Sequence, residues 1–312
     1  SDYLLEAVSI ARAAATQGHR VPIKLVWTRA DDMQAGYYRP AFVQRVRALL
    51  DPQGTIASWQ QRIVGQSVMT GSPLQAARVK DGIDGSSIEG AAEPYEIPNL
   101  RIELTTPTDI GVPVQWWRSG GHAHTAFATE CMLDELAAAS ATDPYQFRRA
   151  LLRAHPRALA VLDLAAAKAG WGIPLAPGSN GERRGRGLAL HESFGTCVAQ
   201  VAEISIAAGG KLHIDRVVCA VDCGVPVNPN VITAQLQGGV GFGLGAALYG
   251  AITITDGVVE QSDFDGYTPL GIHEMPAVEV HIVPSHEAPT GVAEQGTPPI
   301  APAIANAIFT AT

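Results

Sequence analysis

The chain has 312 residues, is 46% hydrophobic and 17% charged, and carries a formal net charge of −8. That length and apolar content suit one large domain or two with a sizeable core. The absence of any basic run or basic face argues against a nucleic-acid partner, and no apolar stretch reads as long enough for a membrane-spanning helix.

The N-terminus, Ser1-Asp2-Tyr3-Leu4, has no basic region leading into an apolar one, so no targeting segment is visible. It opens inside an amphipathic pattern without an initiator Met, which reads as a piece of a longer protein whose compartment is cytoplasmic or periplasmic. Apolar residues at helical spacing predict a helix over 4–16, stopped by Gly18. A strand is expected over 22–27, and a short helix capped by Thr28 after it. Residues 44–51 and 55–64, joined by Pro52-Gln53-Gly54, read as a hairpin. The Gly-, Ser- and Pro-rich stretch 65–98 reads as a long surface loop. A strand over 100–106 precedes helices over 125–139, from Asp143-Pro144 to about Arg153, and over 158–169 to Gly170. A polar connection spans 174–187. Stretches 187–206, 211–221, 251–259 and 277–283 then run at strand length, interrupted by the Gly/Ala-rich segment 234–249. Helices and strands mix without regular alternation, so the fold class is α+β.

The four cysteines are Cys131, Cys197, Cys219 and Cys223, and only the last two are close, spaced C-x3-C. With no C-x2-C pair and no H-x3-H pair, they read as small apolar residues, and no metal-ligating side chains or iron–sulfur site are expected. Glu294 is the one carboxylate in an otherwise small and apolar stretch. Pro298-Pro299 follows it and opens a buried helix of Ile, Ala and Phe. Desolvation there would raise the carboxyl's pKa and suit it to accept a proton, although an exposed loop Glu is the plainer reading. Trp116-Trp117-Arg118-Ser119-Gly120-Gly121 suits either an anionic or oxo group held on a Gly turn or an Arg packed over a Trp. The run Gly238 to Gly245 lacks the preceding strand of a dinucleotide fingerprint, and reads as a place where a backbone or cofactor approaches closely. His122, His124 and His191 read as hydrogen-bonded structural residues.

Taken together, several stretches resemble one family. They are Trp117-Arg118-Ser119-Gly120-Gly121 with Ala126 to Glu130 and Leu133 to Leu136, His191 to Gly195, Val221 to Gly224 with Val227-Asn228-Pro229, Gln235 to Gly239, and Gly291-Val292-Ala293-Glu294. In order and spacing they are similar to the molybdenum-binding large subunit of the xanthine dehydrogenase/aldehyde oxidase family, in the branch of the isoquinoline 1-oxidoreductase β-subunit. The resemblance begins at the stretch Lys24 to Arg29 and covers nearly the whole chain.

That resemblance implies two molybdopterin-binding domains, an incomplete first over 1–143 and a second over 144–312. It implies molybdenum held by molybdopterin cytosine dinucleotide, with 2Fe–2S clusters on a separate small partner subunit and a cytochrome as one candidate electron acceptor. The reaction implied is hydroxylation of an N-heterocyclic aromatic next to its nitrogen, with oxygen from water. An aldehyde oxidase, or a non-catalytic fragment that binds only a partner subunit, is the alternative. Glu294 matches the catalytic base. Trp117, Arg118, Ser119 and Gly120 match the lining of the molybdenum site, and Gln235, Gln237 and Gly238 the pterin-binding segment. Three positions depart from the family pattern: Ala293 stands for Gly, Gly120 for Val, and Gln237 for an acidic residue. Two further glycine-rich cofactor segments of the family are not in this sequence, so the chain alone is expected to be inactive.

Overall fold

A computed structural model describes residues 2–179 and 181–312. In chain order the elements are α1 (Asp2–Thr16), α2 (Arg29–Ala35), β1 (Phe42–Leu50), β2 (Ile56–Gly65), α3 (Gln75–Arg78), β3 (Val79–Lys80), β4 (Ile83–Asp84), β5 (Leu100–Thr105), α4 (His122–Ala139), α5 (Pro144–Ala150) and α6 (Pro156–Ala169). They continue with β6 (Arg183–Ser193), β7 (Thr196–Ile206), β8 (Leu212–Asp222), α7 (Pro229–Leu248), β9 (Ile254–Thr255), β10 (Val258–Val259), β11 (Ala277–Ile282) and α8 (Ile300–Ala311). The mixture is α+β, as expected.

The chain divides into two compact units. The smaller comprises the chain up to Gly36 together with Gly250–Pro269. Thr28 caps α2 in a full capping box with Asp31, as its sequence predicts. Two expected strands are absent here. Residues 22–27 pair with no strand among the described residues, and 251–259 shrinks to the two-residue pair β9/β10. Alternating apolar residues make a strand only where a neighbour accepts the ladder.

The larger unit holds residues 37–249 and 270–312. Its main sheet has the order β11-β8-β7-β6, antiparallel except for the parallel pair β11/β8. A parallel pair needs a crossover, and α7 lies in that connection. The sheet is covered on both faces, so its strands are apolar on both. Leu188, Leu190, Val201 and Val218 face the cluster that contains Val161, Leu162 and Ala165 of α6. Ala189, Ala202, Ile204 and Val217 face Ala303 and Ala307 of α8 with Val240 and Leu244 of α7. The expected continuous run 187–206 is a tight hairpin that turns at Phe194 and Gly195, both at positive φ. Burial on both faces erased the polar punctuation that marks a turn. The second sheet, β1-β2-β5, contains the expected hairpin.

Two further expectations change. The stretch 65–98 is a surface segment only over 70–83: Met69, Asp84, Ser86, Ser87, Ala91, Ala92 and Tyr95 are all buried. The segment 229–248 is one 20-residue helix, long and apolar enough by length and composition to cross a membrane. In this fold its stripe Ile232, Leu236, Val240 and Leu244 is buried among the sheet and α8.

Helix α8 lies so close to β6 that a Cβ on Gly187 would sit 2.1 Å from Ala307 N and 2.2 Å from Ala303 O. Both obstacles are backbone, so neither can rotate away. Gly187→Ala is therefore expected to cost about 2–3 kcal/mol by overpacking, read as a lowered unfolding midpoint. An unchanged midpoint would show that α8 docks less tightly.

Candidate active site

Two segments 175 residues apart in sequence meet at one point. The first is the turn 117–121. Gly120 N donates to Trp117 O at 2.9 Å, and Ser119 and Gly120 take φ of +74° and +57°. Two successive residues at positive φ make this a tight turn. A Cβ on Gly121 would meet Ser86 O at 2.1 Å, so the turn is clamped against 86–89 before α4 begins.

The second segment is the loop 290–297, which carries Glu294. Thr196 Oγ1 of β7 donates to Gly291 O at 2.7 Å, and Gln200 Nε2 donates to Gly296 O at 2.9 Å. Helix α7 closes the other side, where a Cβ on Gly296 would lie 2.8 Å from Leu236 O. Thr297 N donates to Glu294 O at 3.0 Å and turns the chain toward α8. The glycines of α7 thus serve a close backbone approach, which is one of the readings their sequence allows.

Glu294 Oε2 accepts the N–H of Ser119. Arg118 Nε donates to Ala293 O at 3.2 Å, and its Nη2 donates to the same oxygen. Glu294 is half-buried. Trp117 lies between Arg39, whose guanidinium carbon is 4.1 Å from the ring centroid, and Phe242 of α7 at 4.8 Å. Arg118 covers Phe242 at 5.4 Å. Trp117, Arg118, Ser119 and Glu294 therefore form one constellation. The Arg-over-Trp packing does occur, but the arginine over Trp117 is Arg39.

On α7, Gln235 and Gly238 are three residues apart and so share a helix face. Among the described residues, no hydrogen bond engages the Gln235 side chain, and a Cβ on Gly238 would meet nothing within 4 Å. Gln237 turns to the sheet and donates to Val278 O of β11 at 3.2 Å.

Sequence reasoning missed two members. Glu89, inside the stretch read as a surface loop, places Oε2 3.4 Å from where a Gly120 Cβ would be. Phe242 was hidden among the glycines of α7. Beside the turn, His122 Nδ1 and His191 Nε2 lie 2.9 Å apart. Burial pushes the His122 pKa down to about 4 and His191 well below the usual imidazole range, so both are neutral. His124, stacked on Phe42, is pushed down to about 3, chiefly by burial. His124, Trp117 and Arg39 open onto a cleft of about 880 Å³, whose far side is formed by α7 and α8. Cys131, Cys197, Cys219 and Cys223 are free thiols, the last three buried.

The residues fit a large polar cofactor with an oxo-bearing group. An open helix face carries an amide without a partner, and a roomy cleft is lined by Trp117 of the turn and by the C-terminal half of α7. Residues 3–152 and 174–276 each match a molybdopterin cofactor-binding domain family. The chain is 31% identical over 97% of its length to the β-subunit of isoquinoline 1-oxidoreductase from Brevundimonas diminuta, and spans 38% of that relative. It is 30% identical over 99% of its length to a membrane-bound aldehyde dehydrogenase from Gluconacetobacter polyoxogenes, and spans 42% of it. The fold superposes on aldehyde oxidoreductase from Desulfovibrio gigas with a TM-score of 0.80 at 15% identity, covering 97% of this chain and 50% of that one. With both halves matching molybdopterin cofactor-binding domains and the fold following the same architecture, the chain belongs to the molybdenum-binding large subunits of the xanthine dehydrogenase/aldehyde oxidase family.

Proposed function

We propose that this chain forms part of the catalytic subunit of a molybdenum hydroxylase that acts on an N-heterocyclic aromatic of the isoquinoline type, at a carbon next to nitrogen. The observation that carries the reading is the hydrogen bond from Ser119 N–H to Glu294, which joins the Arg118 turn to the Glu294 loop at one point. Residues 1–143 and 144–312 are taken as the two cofactor-binding parts, with the remainder of the first supplied from outside this chain.

Molybdopterin cytosine dinucleotide, when bound, supplies molybdenum redox chemistry and an oxygen derived from water. Trp117, Arg118, Ser119 and Gly120 would line it on one side, and Gln235 and Gly238 on the other, while Gln237 anchors α7 to β11. Glu294 is the base. Ser119 N–H holds Oε2 and fixes the rotamer, which leaves Oε1 to accept the proton. Arg118 fixes the backbone of the base through Ala293 O. Gln200 and α7 bury the loop just after the base, from Gln295 to Thr297, and so fix where Glu294 leaves it. The partners this reading calls for are a separate small subunit carrying 2Fe–2S clusters and an electron acceptor such as a cytochrome.

Oxidation of an aldehyde is the second reading, supported by the 30% identity to an aldehyde dehydrogenase. The test is performed on the intact enzyme. Molybdenum and cytidine nucleotide are expected in equimolar amount, with labelled oxygen passing from water into hydroxylated isoquinoline. Labelled carboxylate from benzaldehyde, with isoquinoline untouched, would favour the second reading. Neither molybdenum nor nucleotide would leave only a non-catalytic, partner-binding chain.

A further inference from the structure

The Glu89 carboxylate lies beside the turn that holds Glu294, yet the proposed chemistry gives it no part. Its backbone is fixed: Thr125 Oγ1 donates to Glu89 O at 2.6 Å, and a Cβ on Gly121 would lie 3.4 Å from Glu89 N. The side chain is half-buried and reaches Gly120, against whose missing Cβ it lies at 3.4 Å. Glu89 and Glu294 therefore both lie against the Ser119-Gly120 turn, near enough that the Glu294 charge acts on Glu89. Among the described residues, no hydrogen bond or ion pair engages the Glu89 carboxyl. A Cβ on the next residue, Gly90, would lie 2.6 Å from both the His122 and the His191 ring, so Glu89 adjoins two neutral imidazoles rather than cations. His122 meets the half-exposed ring of Phe194 edge-on at 4.9 Å.

A half-buried carboxyl without a partner is costly to a fold unless a ligand supplies one. Burial raises its pKa; the Arg78 charge opposes this, while Asp84 and Glu294 add to it. A ligand that places one shared proton between Glu89 and a basic atom satisfies it. A pyridine-type ring nitrogen does so whichever partner holds the proton. That nitrogen gains electron density as the neighbouring carbon is attacked, so the bond strengthens along the reaction. An aldehyde offers no such atom.

We infer that Glu89 is a specificity-determining residue, which binds the ring nitrogen of an N-heterocyclic substrate beside the Ser119-Gly120 turn that also holds Glu294. This rests on the proposed hydroxylase reading and names the group that would choose between its two substrate classes.

The test uses the intact enzyme with isoquinoline and benzaldehyde. Glu89→Leu is expected to lower the ratio of kcat/KM for isoquinoline to that for benzaldehyde by about 10- to 100-fold, the range for loss of a charge-assisted hydrogen bond. Glu89→Gln, which keeps the shape and one donor, is expected to fall between. Isoquinoline affinity is measured separately by calorimetry in a Glu294→Gln background without an electron acceptor, where turnover is suppressed. Adding Glu89→Leu there is expected to weaken binding at least several-fold, with unchanged molybdenum content excluding a folding defect. If wild-type enzyme hydroxylates isoquinoline and neither ratio nor affinity moves, the assignment of Glu89 is overturned alone. If wild-type enzyme oxidises benzaldehyde and neither binds nor turns over isoquinoline, the N-heterocycle reading and the role of Glu89 fall together.

Discussion

Glu294→Gln is expected to reduce turnover of the intact enzyme by about 10²–10⁴-fold, the range for removal of a positioned general base, with molybdenum content unchanged. The amide keeps the shape of the side chain, and its oxygen still accepts the Ser119 N–H. The loop also keeps its other supports, since Gln200 and Thr196 bond to Gly296 O and Gly291 O rather than to Glu294. What the variant loses is the capacity to take a proton at Oε1. The loss should fall on kcat, with KM nearly unchanged, because the group acts in the transition state rather than in substrate binding. Turnover at the wild-type rate would remove Glu294 from the chemistry and leave it as an anchor for the Arg118 turn.

Arg148→Met is expected to lower stability by about 3–5 kcal/mol, the cost of leaving buried charge uncompensated, read as the unfolding midpoint of the intact subunit. Arg148 of α5 is 0% exposed and bridges two acids of α4. Its Nε donates to Glu130 Oε2 at 2.9 Å, and its Nη1 donates to Asp134 Oδ1 at 2.6 Å. Glu130 also accepts from Tyr95 OH at 2.6 Å and from Leu190 N of β6 at 2.9 Å. One carboxylate thus ties together α4, α5, the 65–98 stretch and the main sheet. Burial pushes the Glu130 carboxyl upward and the four donors around the two acids oppose that; removing Arg148 takes away two of those donors and their positive charge, and leaves only Tyr95 OH and Leu190 N–H against burial. Glu130→Gln combined with Arg148→Met should cost less than the sum of the two single changes, because each single change already breaks the Glu130–Arg148 contact that the other would break. Strict additivity would show that these groups do not act as a unit.

The same cluster shows how function depends on a structural network. Helix α4 begins at His122, directly after the Arg118 turn, and Glu130 lies two turns further along it. The turn cannot shift relative to β6 without breaking the Leu190 N–H contact to Glu130. The first helix of the site is fastened into the core by charge as well as by apolar packing.

Local chemistry was legible from the residues alone. Thr28 reads as a cap residue, and it does cap α2. The Gly170 stop is a left-handed helix end. The segments holding Glu294, Trp117, Arg118, Ser119 and Gln235 could be singled out because their residue types are unusual together. Pairing was not legible. Residues 22–27 carry strand chemistry without a partner strand, and the Phe194-Gly195 turn vanished into a run that is apolar because helices cover both faces of its sheet. Burial was not legible either: 65–98 is polar and Gly-rich, yet Asp84 and Ser86 lie inside, where Ser86 N and Oγ donate to Asp84 Oδ1 at 2.9 and 2.6 Å. A polar group satisfied by its own neighbours leaves no composition signal. The sequence by itself determined which residues can cap, turn, bond and accept protons. The tertiary structure alone decided that Ser119 meets Glu294 and that Glu89 stands beside them, because such contacts depend on chain closure over 175 residues rather than on any property of the residues that make them.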